Sequence, residues 1–124
     1  MKAFDFDGVL VPDIDYVDIP QAQFEQVFLG LNPVFKPVGA WCIVTGRTNS
    51  DLIVSWLNRH LGDNLPSMIF ANEQDLEPAV HKNNVLGKIS YTLFVESDAK
   101  QVDFLQKNGK KVVHFATFIA NSVA

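Results

Sequence analysis

The sequence predicts an α/β fold: a three-layer parallel sheet with helices on both faces and no sizeable cap domain, laid out as one domain over residues 1–124. Three observations carry this expectation. Apolar runs of strand length alternate along the chain with stretches of helical period. The run Trp41-Cys42-Ile43-Val44 is continuous rather than alternating, as in a strand buried on both faces. Gly30, Gly46, Gly62 and Gly109 fall where those runs should stop.

Lys2 to Phe6 reads as a first strand, followed by an irregular stretch from Val9 to Pro20 in which Asp13, Asp15 and Asp18 interleave with apolar residues. Pro20 suits a helix start, with Ala22, Phe24, Val27 and Phe28 on one face, stopped by Gly30, Asn32 and Pro33. Gly39 to Thr45 is the second strand, and Asn49 or Ser50 can cap a helix carrying Leu52, Ile53, Trp56, Leu57 and Leu61. Ser67 to Ala71 is a third strand and Pro78 to Ile89 a helix. Tyr91 to Val95 is a fourth strand, and Asp98 to Asn108 an amphipathic helix stopped by Gly109. Lys111 to Phe115 closes the sheet, and Phe118-Ile119-Ala120 is left to pack on the sheet or on a partner.

The composition is that of an ordinary globular domain, and 124 residues can bury a substantial core. A net charge of −4 argues against broad attraction to nucleic acid or anionic membrane, though not against a local phosphate pocket. Cys42 is the only cysteine, which excludes an internal disulfide and suits a buried thiol. Lys2, Asp5 and Asp7 interrupt the start, so no signal peptide or membrane span is expected and the cytoplasm is the expected location.

In a parallel sheet ligands bind beyond the carboxyl ends of the strands. Asp5-Phe6-Asp7-Gly8, Thr45-Gly46 and Glu96-Ser97-Asp98 all fall at such ends, far apart in sequence yet able to converge. A bare Asp-x-Asp is in general a solvated turn, but here an apolar strand leads into it and Gly8 allows a sharp turn after it. One carboxylate can attack phosphorus once a cation neutralises its repulsion with phosphate, and the second can handle the proton. Thr45 and the following backbone N–H groups can bind phosphate oxygens, or Thr45 can simply end its strand. Arg47 can grip a phosphate or pair with a carboxylate. Lys82 or Lys88 can stabilise charge building in the transition state, an effect of roughly 2–4 kcal/mol for a preorganised donor. Glu96 and Asp98 offer oxygen ligands suited to Mg²⁺; Asp98 doubles as a helix cap, and Glu96 has no comparable structural role in the sequence. His60, His81 and His114 show no metal-ligand spacing.

These residues resemble the haloacid dehalogenase-like (HAD) phosphohydrolase superfamily. Phe4-Asp5-Phe6-Asp7-Gly8-Val9 is similar to its first motif, Ile43-Val44-Thr45-Gly46 to its second, Lys82 to its third and Glu96-Ser97-Asp98 to its fourth. The resemblance implies a Rossmann-like sheet, Asp5 as the nucleophile forming an aspartyl-phosphate, and Asp7 as acid and then base. It further implies Thr45, Gly46 and Lys82 as phosphate-binding groups. Mg²⁺ would sit on Asp5, the Asp7 carbonyl and either Glu96 or Asp98. The fourth motif departs from the family pattern, with Ser97 where an aspartate is common. The intervals of 40 and 37 positions between successive motifs leave no room for a cap domain. An open site of that kind suits phosphorylated macromolecules or small phosphoesters. Thr45-Gly46-Arg47, Trp56-Leu57 and Lys82 also resemble the phosphatase part of polynucleotide end-healing enzymes. The expected function is therefore an Mg²⁺-dependent phosphomonoesterase. The alternatives are a signalling phosphoacceptor similar to receiver domains and a catalytically silent binding module.

Overall fold

In the computed structural model, which describes residues 1–122, five short strands form one all-parallel sheet. They are β1 (Lys2–Phe4), β2 (Trp41–Val44), β3 (Ile69–Phe70), β4 (Leu93–Glu96) and β5 (Val112–His114). The helices are α1 (Phe24–Gly30), α2 (Asp51–His60), α3 (Pro78–Leu86), α4 (Ala99–Lys107) and α5 (Phe115–Ser122). Positions 123 and 124 of the expected domain lie outside the described residues.

The strand order is β3-β2-β1-β4-β5. The chain winds outward from β1 in one direction, then crosses back to the other side of β1 after β3. Right-handed crossovers force the two halves to place their helices on opposite faces. Phe28 of α1, Trp56 and Leu57 of α2 and Phe118 of α5 accordingly pack on one face with Phe4, Ile43 and Val95. Leu86 of α3 and Val102 and Leu105 of α4 cover the other, against Ala3, Cys42, Val44 and Phe94. This is the expected Rossmann-like three-layer architecture, and no cap is evident. Its winding reverses between β1 and β4, which opens a crevice at their carboxyl ends.

Three elements differ from expectation, and a fourth settles an open alternative. The first helix does not start at Pro20, whose backbone is extended (φ −55°, ψ 137°); a short 3₁₀ turn over Gln21–Gln23 precedes α1. The third strand shrinks to two residues because it forms a sheet edge with a single partner, β2. Val9, Leu10 and Val11, in the irregular stretch, are fully buried: the chain folds back so that the Phe6 carbonyl accepts from Leu10 N–H at 3.0 Å and Val11 pairs with Asp7. The C-terminal stretch forms α5, and Phe118 stands edge-on to Phe4 and Phe35, at 5.8 and 5.5 Å between ring centres. That contact assigns the stretch to the sheet. Among the described residues, no helix is long and apolar enough to cross a membrane.

Candidate functional site: an acidic pocket at the sheet switch point

β1 ends at Phe4, yet Asp5 N–H still donates to the Val95 carbonyl at 3.0 Å, which holds the acidic turn against β4. Phe6 is the anchor. Its ring turns away from the carboxylates into the core, edge-on to Trp56 at 5.3 Å and stacked with Phe28 at 5.8 Å. Asp5 and Asp7, flanking Phe6, therefore share the crevice side. Gly8 completes the turn with φ +81°, and a Cβ there would lie 2.4 Å from Ser97 Oγ. Only glycine lets the acidic turn approach the end of β4 so closely.

A cavity of about 300 Å³ opens at this point, walled by Asp5, Asp7 and Asp13 with Gly46, Arg47, Lys82, Glu96, Ser97 and Asp98. The strand-end residues thus converge. Of the two candidate lysines, Lys82 lines the cavity, whereas Lys88 is exposed on the surface beyond α3. Thr45 is buried beneath the wall, and its hydroxyl accepts the Arg47 N–H at 3.2 Å, closing the turn after β2. Gly46 and Arg47 face the cavity.

Lys82 is the centre of the charge arrangement. Its ammonium donates to Glu96 Oε1 at 2.6 Å and to Gln101 Oε1 at 2.8 Å, and lies 3.3 Å from Asp5 Oδ1. Those three neighbours match its three protons. Burial works against the ammonium, but Asp5 and Glu96 outweigh it and hold the Lys82 pKa above its ordinary value. Asp5 behaves differently. Burial pushes its carboxyl well above the usual range, Lys82 opposes the rise, and the neighbouring Glu96 and Asp7 carboxylates add to it. One ammonium between two buried carboxylates leaves an excess of negative charge.

Glu96 has a structural role that its sequence position did not reveal. Beyond the Lys82 contact, its Oε2 accepts N–H bonds from Ser97 at 2.9 Å and Asp98 at 3.1 Å. Asp98 caps α4, accepting from Lys100 N–H at 2.8 Å and from the Gln101 amide at 3.3 Å. Those bonds outweigh slight burial and lower its pKa. Arg47 takes the carboxylate-pairing role. Its guanidinium forms a fork on Asp7, Nε to Oδ2 and Nη2 to Oδ1, both 2.8 Å, and stands 4.8 Å from the Phe28 ring centre.

The fit to Mg²⁺ follows from charge and donors. The wall carries five carboxyl groups against two cationic groups, an excess of acidic over basic side chains. A divalent cation reduces that excess. Among the described residues, no group of three or more His, Cys, Asp or Glu side chains is arranged to hold a metal. Both oxygens of Glu96 and of Asp98 are engaged as above. Asp5 Oδ2 takes no part in those contacts, and the Asp7 carbonyl, which accepts the Ser97 hydroxyl at 3.1 Å, keeps a second lone pair. Two protein oxygens and a shell of water fit Mg²⁺, which normally retains several waters.

Gln101 and Asp13 complete the site without a strong signal in the sequence. Gln101 sits in the first turn of α4, one amide among many, and only the fold aims it at Lys82. Asp13 belongs to the irregular acidic loop, which the buried Val9–Val11 segment folds over the pocket.

No family model, no curated protein and no solved structure matches the chain. The fold and the pocket therefore define the class by themselves: a doubly wound α/β domain with an acidic, lysine-centred crevice at its switch point.

Proposed function

We propose that this chain is a phosphomonoesterase that works through Asp5. The observation that supports it most is the meeting of Asp5, Lys82 and the Gly46 turn in one pocket, with Lys82 Nζ 3.3 Å from Asp5 Oδ1. A carboxylate nucleophile beside a fixed ammonium suits phosphoryl transfer, in which the protein's task is positioning and charge stabilisation. Mg²⁺, when bound, would lower the repulsion between the Asp5 carboxylate and the phosphate oxygens.

The residues divide the work. An Asp5 oxygen forms a bond to phosphorus while the bond from phosphorus to the leaving oxygen breaks, and Asp7 gives that oxygen a proton. Water then attacks the aspartyl-phosphate, Asp7 takes the water's proton, and the bond from phosphorus to Asp5 breaks to release phosphate. Each Asp7 oxygen accepts one bond from Arg47 and keeps a second lone pair for the proton it exchanges. The Gly46 backbone N–H, together with Lys82 once its contact with Asp5 opens, is the donor set available to the phosphoryl oxygens.

The test is hydrolysis of nitrophenyl phosphate by the purified chain with and without MgCl₂. Metal-dependent turnover that is lost in Asp5→Asn is expected. Full turnover in that variant, or an inert wild type across a broad monoester panel, overturns the proposal. A second reading, a silent binding module on the same fold, is favoured by the engagement of all four Glu96 and Asp98 oxygens. It predicts no Mg²⁺ binding by calorimetry. A long-lived aspartyl-phosphate without turnover points instead to a receiver-like phosphoacceptor.

A further inference from the structure

A second cavity, of about 440 Å³, lies between α1 and the start of α2 and shares Gly46 and Arg47 with the acidic pocket. We infer that it receives the leaving group of the phosphomonoester, and that it favours an uncharged aromatic alcohol. This inference rests on the phosphomonoesterase reading.

Direction is the first support. The group that protonates the leaving oxygen marks the side on which that oxygen departs. Asp7 fills the role, and its carboxylate is forked by Arg47, which lines both cavities together with Gly46. A leaving group bound at Asp7 therefore extends past Arg47 into the second cavity. Among the described residues, no cap domain stands over the site to bind it elsewhere.

Chemistry is the second. Phe24, Leu52 and Ile53 form the apolar part of the cavity wall, a surface suited to an aromatic body, beside the polar Thr48, Asn49 and Asp51. Phe24 is held edge-on by Tyr16 at 4.8 Å and stacked with Phe28 at 6.2 Å, so the wall is fixed before substrate arrives. Preorganisation of that kind favours a rigid planar guest. Asp51 on the rim repels an anionic one. The only cation of this cavity, Arg47, is already paired with Asp7, which removes the obvious grip for a second phosphate. Polyanionic chains, oligonucleotide ends included, are thereby disfavoured.

The experiment compares kcat/KM for naphthyl phosphate, glycerol phosphate and a terminally phosphorylated oligonucleotide in the wild type and in Thr48→Trp, which fills the cavity from an exposed loop. The wild type should prefer naphthyl phosphate to the other two by about tenfold or more, as apolar pockets discriminate. Thr48→Trp should lower the naphthyl-to-glycerol ratio by a similar factor. An unchanged ratio, or a preference for the oligonucleotide, overturns the inference. Naphthol is titrated in parallel, with the amide resonances of Gly46, Thr48 and Asn49 as the readout. Shifts confined to the wild type support the cavity's ligand class, and their absence refutes it. If no ester is hydrolysed, the phosphatase reading falls, and the naphthol titration decides the cavity alone.

Discussion

Replacing Lys82 by methionine tests the charge arrangement most directly. Lys82 is 2% exposed, and the exchange keeps the volume of the stem while removing the only ammonium between Asp5 and Glu96, which are 5% and 0% exposed. Breaking a buried pair from one side costs about 3–5 kcal/mol, because an uncompensated charge stays behind. For a domain of this size that corresponds to a fall in Tm of about 10–25 °C. The loss carries a pH signature. The Asp5 carboxyl titrates above its ordinary value of 3.8 in the folded protein, so its contribution to stability is complete below that value and is lost as pH rises through the folded one. The Lys82 contribution is complete below 10.5 and lost as pH rises further, through its own raised value. Without Lys82 opposing it, Asp5 moves higher still, and the variant should be most deficient near neutrality and recover on acidification toward pH 4. Thermal unfolding followed by circular dichroism between pH 4 and 8 reads both effects. Adding Glu96→Gln should restore part of the loss, since one of the two stranded charges is then gone. A Lys82→Met protein that melts within about 2 °C of wild type at every pH refutes the account, because a shift that small corresponds to well under 1 kcal/mol.

Two further perturbations probe the pieces around that centre. Gly8→Ala should destabilise by about 1–3 kcal/mol in urea unfolding, since it places a side chain at φ +81° and 2.4 Å from Ser97 Oγ; an unchanged midpoint would mean that the turn can relax away from β4. Gln101→Leu removes an acceptor from the buried Lys82 ammonium and a donor from Asp98 and should cost about 1–3 kcal/mol in urea unfolding; an unchanged midpoint would show that these contacts carry no weight.

The sheet was legible because its strongest signals were local. Trp41 to Val44 could be read as a strand buried on both faces, and it sits between β1 and β3 with all four residues buried. Asp98 could be read as a cap because its side chain bonds two residues along the chain. What escaped the sequence depended on distant partners. Phe115 to Ser122 carried no cap or stop that marks a helix, and what draws it onto the sheet is the pair Phe4 and Phe35. The Arg47 side chain had two chemically equal uses, and only the 40-residue return from the acidic turn brings Asp7 within reach. Glu96, at the end of β4, lacked a structural role only until Lys82 of α3 was brought beneath it. Convergence at strand ends can be anticipated from topology, whereas the choice of partner within the converged set depends on ångström-scale packing.

That choice bears on how the pocket can be used. A phosphate dianion entering as the side chains stand would meet an excess of acidic over basic side chains, and its natural counter-ion, Lys82, is already shared by Glu96, Gln101 and Asp5. Two routes make entry favourable. A cation on Asp5 Oδ2 and the Asp7 carbonyl would reduce the excess, and withdrawal of Asp5 from Lys82 would turn one ammonium proton toward the phosphoryl group. Of the three Lys82 contacts the one to Asp5 is the longest, 3.3 Å against 2.6 and 2.8 Å, so it is the one most readily exchanged. On the phosphomonoesterase proposal, Glu96 and Gln101 would act as the fixed mount of the lysine, while Asp5 would alternate between pairing with it and attacking beside it. On this view the glutamate contributes by keeping Lys82 charged and in place while its nearest mobile partner reacts.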